Sequence, residues 1–407
     1  MKSRTPITIL ADDLTGAAEI GAAVHARGLS TVVLTGGAPE AATADVVVHD
    51  TDSRLLQPAD AARKIVAVAS RARLAKVMRA GGLVLKKTDS VLRGPIAAEL
   101  EALGAVTRSA RVLLVPGNPR LGRIVREGRL YVNDVPIDRT PFAHDPHHPA
   151  STASVEALLG PHRFGSIHIL APGQPLPAAG LIIGQAASME DLAGWAAAVP
   201  PETLIAGSSV FLEAVFEARG WVRNASIVEE PTGEPLLIIS GTTATTTRDA
   251  LASSPAAADR VHPMPTACAV SAAADSEAEF ERWTTTLGRS LRDHGWAVAV
   301  PPILSSAEPA AAARIRSAFA SAVAGLRSAG VFRHLVIEGG STAATIIHVL
   351  RWHALDVAGE LAPGVATLCP RPDPDYRVTL KPGSYPWPDG WWSQRTRHSP
   401  PASPHRQ

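Results

Sequence analysis

The chain of 407 residues carries 39 basic and 38 acidic side chains, a balance that gives no electrostatic footing for nucleic acid. It is too long for one ordinary core, so two domains are expected; no apolar run of about 18 residues predicts a membrane span, and the amino terminus lacks a signal peptide's n-region and h-region. Two cysteines, Cys268 and Cys369, lie far apart without metal-binding spacing, so the expectation is a reduced, cytoplasmic protein.

Short apolar runs alternate with amphipathic stretches, the pattern of a mostly parallel sheet flanked by helices. Strands are expected at Ile7 to Leu10, Thr31 to Leu34, Val46 to His49, Leu83 to Lys87 and Arg111 to Val115. Helices are expected at Ala17 to Arg27, at Ala59 to Ala80 (stopped by Gly81-Gly82) and at Ile96 to Leu103. Arg129 to Asp138 alternates around Asn133-Asp134 and reads as a hairpin. Strand-like runs at Ile167 to Leu170 and Leu181 to Ile183 precede a helix near Met189 to Ala198. Glu230 to Pro235 reads as a linker, and a second α/β series follows, with strands at Leu236 to Ile239, Ala297 to Val300 and Leu335 to Ile337. The expected division is 1–230, 231–392 and a polar, Pro-rich, disordered tail over 393–407.

The loop after the first strand reads Ala11-Asp12-Asp13-Leu14-Thr15-Gly16 and opens a helix. Ligands of open α/β sheets sit at such strand ends, where a helix start offers unpaired N–H groups. One Asp would be explained as a helix cap; a pair can hold a polyol's hydroxyls, bind magnesium or accept a proton. A second loop, Lys86-Lys87-Thr88-Asp89-Ser90-Val91-Leu92-Arg93-Gly94-Pro95, supplies Lys87, Asp89 and Arg93, whose planar fork suits a substrate carboxylate. A third, His49-Asp50-Thr51-Asp52-Ser53-Arg54, adds Asp52 and Arg54. His144, His147 and His148 invite a metal reading, but prolines interrupt them and a polar substrate-side loop is the simpler expectation. In the second half, Ser240-Gly241-Thr242-Thr243 and Glu338-Gly339-Gly340-Ser341-Thr342 are glycine turns between strand and helix, suited to phosphate, and neither is a Walker A sequence.

In order, Asp12 to Gly16, Lys87 to Gly94, Gly122-Arg123 with Thr140 to Pro149, Ala206 to Ser209, the turns at Gly241 and Gly339, and Leu380-Lys381-Pro382-Gly383 resemble the four-carbon acid sugar kinase family over roughly Ile7 to Trp392. The resemblance implies a sugar-acid-binding domain, an ATP-binding domain and catalysis in the cleft between them, with ATP and Mg2+ as cofactors. It places Asp12, Asp13, Asp89 and Arg93 at the acceptor, and Thr242, Gly339, Gly340, Ser341, Thr342, Lys381 and Gly383 around the nucleotide. Asp13, or Asp12 beside it, is the expected proton acceptor. Ser341 stands where that family carries an acid, and the alternative is a non-catalytic sugar-acid sensor or pseudokinase of the same fold. The expected partners are a small sugar acid (threonate, erythronate or a 3-oxo form) and ATP, without nucleic acid or membrane; a homodimer is the candidate assembly.

Overall fold

The computed structural model describes residues 7–36, 43–145, 147–224, 235–241, 247, 259–270, 274–304, 309–383, 385–388 and 390–392. Most of the expected linker, Thr242 and the tail lie outside the described residues. The chain divides into two compact units, Met1–Ser226 and Ile227–Gln407.

The first unit has strands β1 (Ile7–Ala11), β2 (Thr31–Leu34), β3 (Val46–Asp50), β4 (Leu83–Lys87), β5 (Arg111–Val115), β6 (Arg123–Arg126), β7 (Arg129–Val132), β8 (Val135–Pro136), β9 (Ile167–Leu170), β10 (Gly180–Gly184) and β11 (Leu204–Gly207). Its helices are α1 (Leu14–His25), α2 (Pro58–Arg71), α3 (Leu74–Arg79), α4 (Ile96–Thr107), α5 (Val155–Leu159), α6 (Met189–Ala198) and α7 (Ser209–Ala218). The main sheet runs β2-β3-β1-β4-β11-β5-β10-β9 with all pairs parallel, and β6-β7-β8 form a small antiparallel sheet. Strands buried on both faces read as apolar runs, which is why β1, β2 and the Leu83–Leu85 start of β4 were legible. One face packs Leu10 and Val84 against Ile65, Leu100 and Leu103, all nearly free of solvent.

Two local differences from expectation have backbone causes. The stretch expected as one helix from Ala59 to Ala80 is two, because Arg73 adopts a left-handed φ of 53° between α2 and α3. The Asn133-Asp134 hairpin forms with φ of 50° and 61°, the turn these two side chains tolerate best.

The second unit contains β12 (Leu236–Ser240), β13 (Val261–Pro263), β14 (Trp296–Val300), β15 (His334–Glu338), β16 (Ala354–Ala362), β17 (Val365–Pro370) and β18 (Arg377–Lys381). Its described helices are α8 (Thr266–Val270), α9 (Ala274–His294), α10 (Pro309–Ser328) and α11 (Gly340–Val349). Strand order is β13-β14-β12-β15-β18-β17-β16, parallel from β13 to β18 and antiparallel for the last two pairs. The β16–β17 hairpin escaped the sequence because bulges at Val357/Gly359 and Glu360/Ala362 break its alternation. No described helix is long and apolar enough to cross a membrane.

Candidate functional site

In the first unit the chain steps from β1 outward to β2 and back to β3, then crosses to the other side of β1 for β4. Such a switch point opens a crevice beyond the carboxyl ends of the strands. The loops after β1, β3 and β4 meet there.

Arg54 is the hub. Its Nε and Nη2 donate to the two oxygens of Asp12 at 2.7 and 3.0 Å, and Nη2 also donates to Asp13 at 2.7 Å. Its Nη1 lies 3.9 Å from Asp89. Asp89 in turn accepts from Nε and Nη2 of Arg93 at 3.0 and 2.9 Å, and Nη1 of Arg93 reaches Asp145 at 3.3 Å. These carboxylates and the two guanidiniums therefore form one charge-assisted network. Burial pushes Asp12 and Asp89 upward, but Arg54 with Lys86 and Lys87 at Asp12, and Arg93 with Arg54 at Asp89, outweigh it and hold both carboxyls below their ordinary values, Asp89 well below. Asp89 raises Arg93 in return.

Asp13 caps α1, accepting the Gly16 N–H at 3.0 Å and the Thr15 hydroxyl at 2.5 Å. The cap explanation of this residue and its place in the network hold together. A Cβ at Gly16 would lie 2.6 Å from Asp13 Oδ1 and 2.8 Å from Lys87 Nζ, so a side chain there would displace both groups. Lys87 thus stands at the start of α1, with Glu19 at 3.6 Å. Beneath the crevice Lys86 pairs with Glu99 at 3.0 Å, both fully buried, and Glu99 also accepts from Ser53. Burial raises the Glu99 carboxyl.

Asp12, Asp13, Arg54, Asp89 and Arg93 are brought together, and Lys87 adjoins them through Gly16. Asp52 is turned outward, its side chain 72% exposed and 3.8 Å from Lys64. The buried carboxylate of that loop is Asp50, which sequence reasoning passed over; burial, then Asp52, push it up to about 8. The available signal was its place as the last residue of β3, at the carboxyl end of a strand beside the switch point. Lys86 and Glu99 were also missed, because charges within apolar strand and helix patterns read as surface positions.

The loop carrying His147 and His148 folds around Asp145, which accepts both backbone N–H groups at 3.0 and 2.9 Å. Together with Arg93, Phe142 and Leu92 these histidines line a cavity of about 270 Å³. Among the described residues no group of three His, Cys, Asp or Glu side chains is placed to share a metal ion.

In the second unit Gly339 (φ 106°) carries the chain from β15 into α11. Gly241, the residue after β12, packs closely against the start of α11: a Cβ there would collide with the Thr342 side chain. Thr342 is buried, Ser341 exposed, and Gly340 and Gly383 half-buried. Lys381 is sequestered: its Nζ donates to Glu338 at 2.7 Å, both side chains fully buried, while Ser240 donates to the other Glu338 oxygen at 2.7 Å and Thr247 joins it there. Burial lowers the Lys381 ammonium although Glu338 opposes that. Trp387 donates to Thr247 at 2.7 Å and stacks on Trp391 with centroids 4.5 Å apart.

Two family models match, described as a sugar-binding N-terminal domain over residues 7–215 and a nucleotide-binding C-terminal domain over residues 237–385. The chain is 38% identical over 161 residues to a D-threonate kinase of Bordetella bronchiseptica, covering 38% of this chain and 39% of that protein. It is 32% identical over 194 residues to a D-erythronate kinase of Heliobacterium modesticaldum (46% and 41%), so less than half the length of either kinase is spanned. A 3-oxo-tetronate kinase of Methylobacterium radiotolerans is 28% identical over 417 residues, 92% of this chain and 95% of that one. Among solved structures, a Salmonella typhimurium LT2 protein matches with a TM-score of 0.74 at 20% identity, covering 96% and 98% of the two chains. Haemophilus influenzae protein HI1011 matches with 0.65 at 20% identity, covering 96% and 99%. These two share the fold. By its two domain matches and its curated relatives, the chain belongs to the four-carbon acid sugar kinase family.

Proposed function

We propose that the chain is an ATP-dependent kinase that phosphorylates a hydroxyl of a four-carbon sugar acid of the threonate, erythronate or 3-oxo-tetronate type. The observation that carries this is the Asp12/Asp13/Asp89 network built on Arg54 and Arg93 at the switch point of a domain whose matching family model is sugar-binding. Phosphoryl transfer asks a protein mainly for positioning and charge stabilisation. Three of the five N–H groups of Arg93 are taken by Asp89 and Asp145, which fixes the fork and leaves the others for the acceptor's carboxylate. Asp12 and Asp13, held by Arg54, set the position of the acceptor's hydroxyls, with Lys87 adding positive charge beside them.

The second unit takes the nucleotide at the turns containing Thr242, Gly339, Gly340, Ser341 and Thr342, with Lys381 and Gly383 nearby. Magnesium supplies charge neutralisation on the phosphates when bound. Glu338, the carboxylate beside the glycine turn, has both oxygens engaged and is unsuited to ligate it. Cytosolic action on small metabolites fits the charge balance and needs no membrane.

The sequestration of Lys381 and the serine at position 341 favour one second reading, a sensor that binds the acid without turnover. Calorimetry on the acceptor half tests the first. Arg93→Lys keeps the charge but loses the fork, so affinity for the preferred acid should fall tenfold or more, about 1.4 kcal/mol, with ATP affinity unchanged. Equal acceptor affinity in the variant would remove Arg93 from the site.

A further inference from the structure

Ala11, the last residue of β1, is flanked in register by Asp50 on β3 and by Lys87 on β4. Side chains at matched positions of parallel neighbours share a face, so both lie on the side from which α1 starts. Asp50 is 7% exposed, and among the described residues its one hydrogen bond is from the Asp52 N–H at 2.8 Å. The carboxylates around it are already committed. Asp13 accepts from Gly16, Thr15 and Arg54, and Asp12 is clasped by Arg54 through both oxygens. Carboxylate oxygens already engaged by several donors have few lone-pair directions left to meet an incoming O–H.

We infer that Asp50, rather than a member of the Asp12/Asp13 pair, is the catalytic base that receives the proton of the acceptor hydroxyl. This rests on the kinase function proposed above. As the hydroxyl oxygen forms its bond to the γ-phosphorus, its O–H bond breaks and the proton passes to the free oxygen of Asp50. The bond from phosphorus to the β,γ-bridging oxygen breaks, and the nucleoside diphosphate leaves with that electron pair. The proton is lost to water once the products depart.

The groups around Asp50 set how it titrates. Asp52 in its own loop and Asp13 at the cap of α1 oppose its ionisation, whereas Lys64 on α2 favours it, and with burial foremost the carboxyl rises to about 8. Lys87 flanks the same strand end. A base is most effective when its pKa lies near the working pH.

Asp50→Asn separates a catalytic role from a structural one, because the amide oxygen can still accept the Asp52 N–H while the group no longer titrates. For the wild type, kcat/KM should climb with pH through about 8 and level above it. In Asp50→Asn it should be flat and at least about a hundredfold lower at the plateau. Asp50→Glu should restore a pH-dependent limb.

Stability provides a readout independent of turnover. The unfolded carboxyl ionises near 3.8 and the folded one near 8, so the favourable contribution is complete below the first value and lost as pH rises through the second. Asp50→Asn escapes that loss, and its melting temperature should gain on the wild type across this window. An alkaline limb that persists in Asp50→Asn, or that disappears in Asp13→Asn instead, would overturn the assignment, as would a melting difference that ignores pH. A wild type that transfers phosphate to no four-carbon acid would overturn the kinase function, and this assignment with it.

Discussion

Arg54→Ala is expected to destabilise the protein by about 3–5 kcal/mol and to eliminate measurable acceptor binding. Arg54 is the cation through which the loops after β1, β3 and β4 meet: it contacts Asp12 and Asp13 at 2.7 Å each and approaches Asp89 at 3.9 Å. Asp12 is 1% exposed in its side chain, so removing the guanidinium strips a buried carboxylate of the donors to both its oxygens. The cost is that of an orphaned buried charge, far above the median of a surface ion pair. Arg54→Lys should recover only part of it, since one ammonium cannot serve both oxygens of Asp12 and also Asp13. Denaturant melts of the three proteins check this. A loss below about 1 kcal/mol in Arg54→Ala would show that these carboxylates need no cation.

Lys381→Met should cost a similar amount in the second unit, again about 3–5 kcal/mol, by leaving Glu338 without its ammonium. Glu338 and Lys381 both have side chains with no solvent exposure. The remaining donors to Glu338, Ser240 and Thr247, are neutral hydroxyls. In the variant the folded Glu338 would hold its proton to a higher pH than the unfolded one. The deficit should therefore shrink as pH falls toward about 4.3, the ordinary glutamate value. Lys381→Met combined with Glu338→Gln should regain most of the loss at neutral pH, since the amide needs no counter-charge. A deficit independent of pH would mean that Lys381 acts by packing alone.

Parallel strands such as Ile7–Ala11 and Leu236–Ser240 were legible because full burial makes them continuous apolar runs, whereas β11, β13 and β18 were not read from the sequence. The break at Arg73 was not, since a single left-handed residue leaves the apolar period of α2 and α3 undisturbed. The Asp-Asp-Leu-Thr-Gly and Lys-Thr-Asp-Ser-Val-Leu-Arg-Gly loops follow β1 and β4, the strand ends at which the sequence placed them. They could not say which carboxylate of the His49 to Arg54 loop turns inward. Asp52 sits at φ 42° and faces out, whereas Asp50, still within β3, is buried. Nor could adjacent lysines reveal that Lys86 points down to Glu99 while Lys87 points toward α1: that alternation follows from the strand, and the partners come from elsewhere in the chain. The Glu338–Lys381 pair joins residues on neighbouring strands far apart in sequence.

The most direct test of the acceptor and donor assignments is phosphorus NMR on the wild-type chain incubated with ATP, magnesium and, in separate tubes, D-threonate, D-erythronate and a 3-oxo-tetronate. A kinase of this class produces a new phosphomonoester signal matched mole for mole by ADP with at least one of these acids, and Asp12→Asn suppresses it. ATP left intact beside every acid, or split only to inorganic phosphate, would contradict the proposed function.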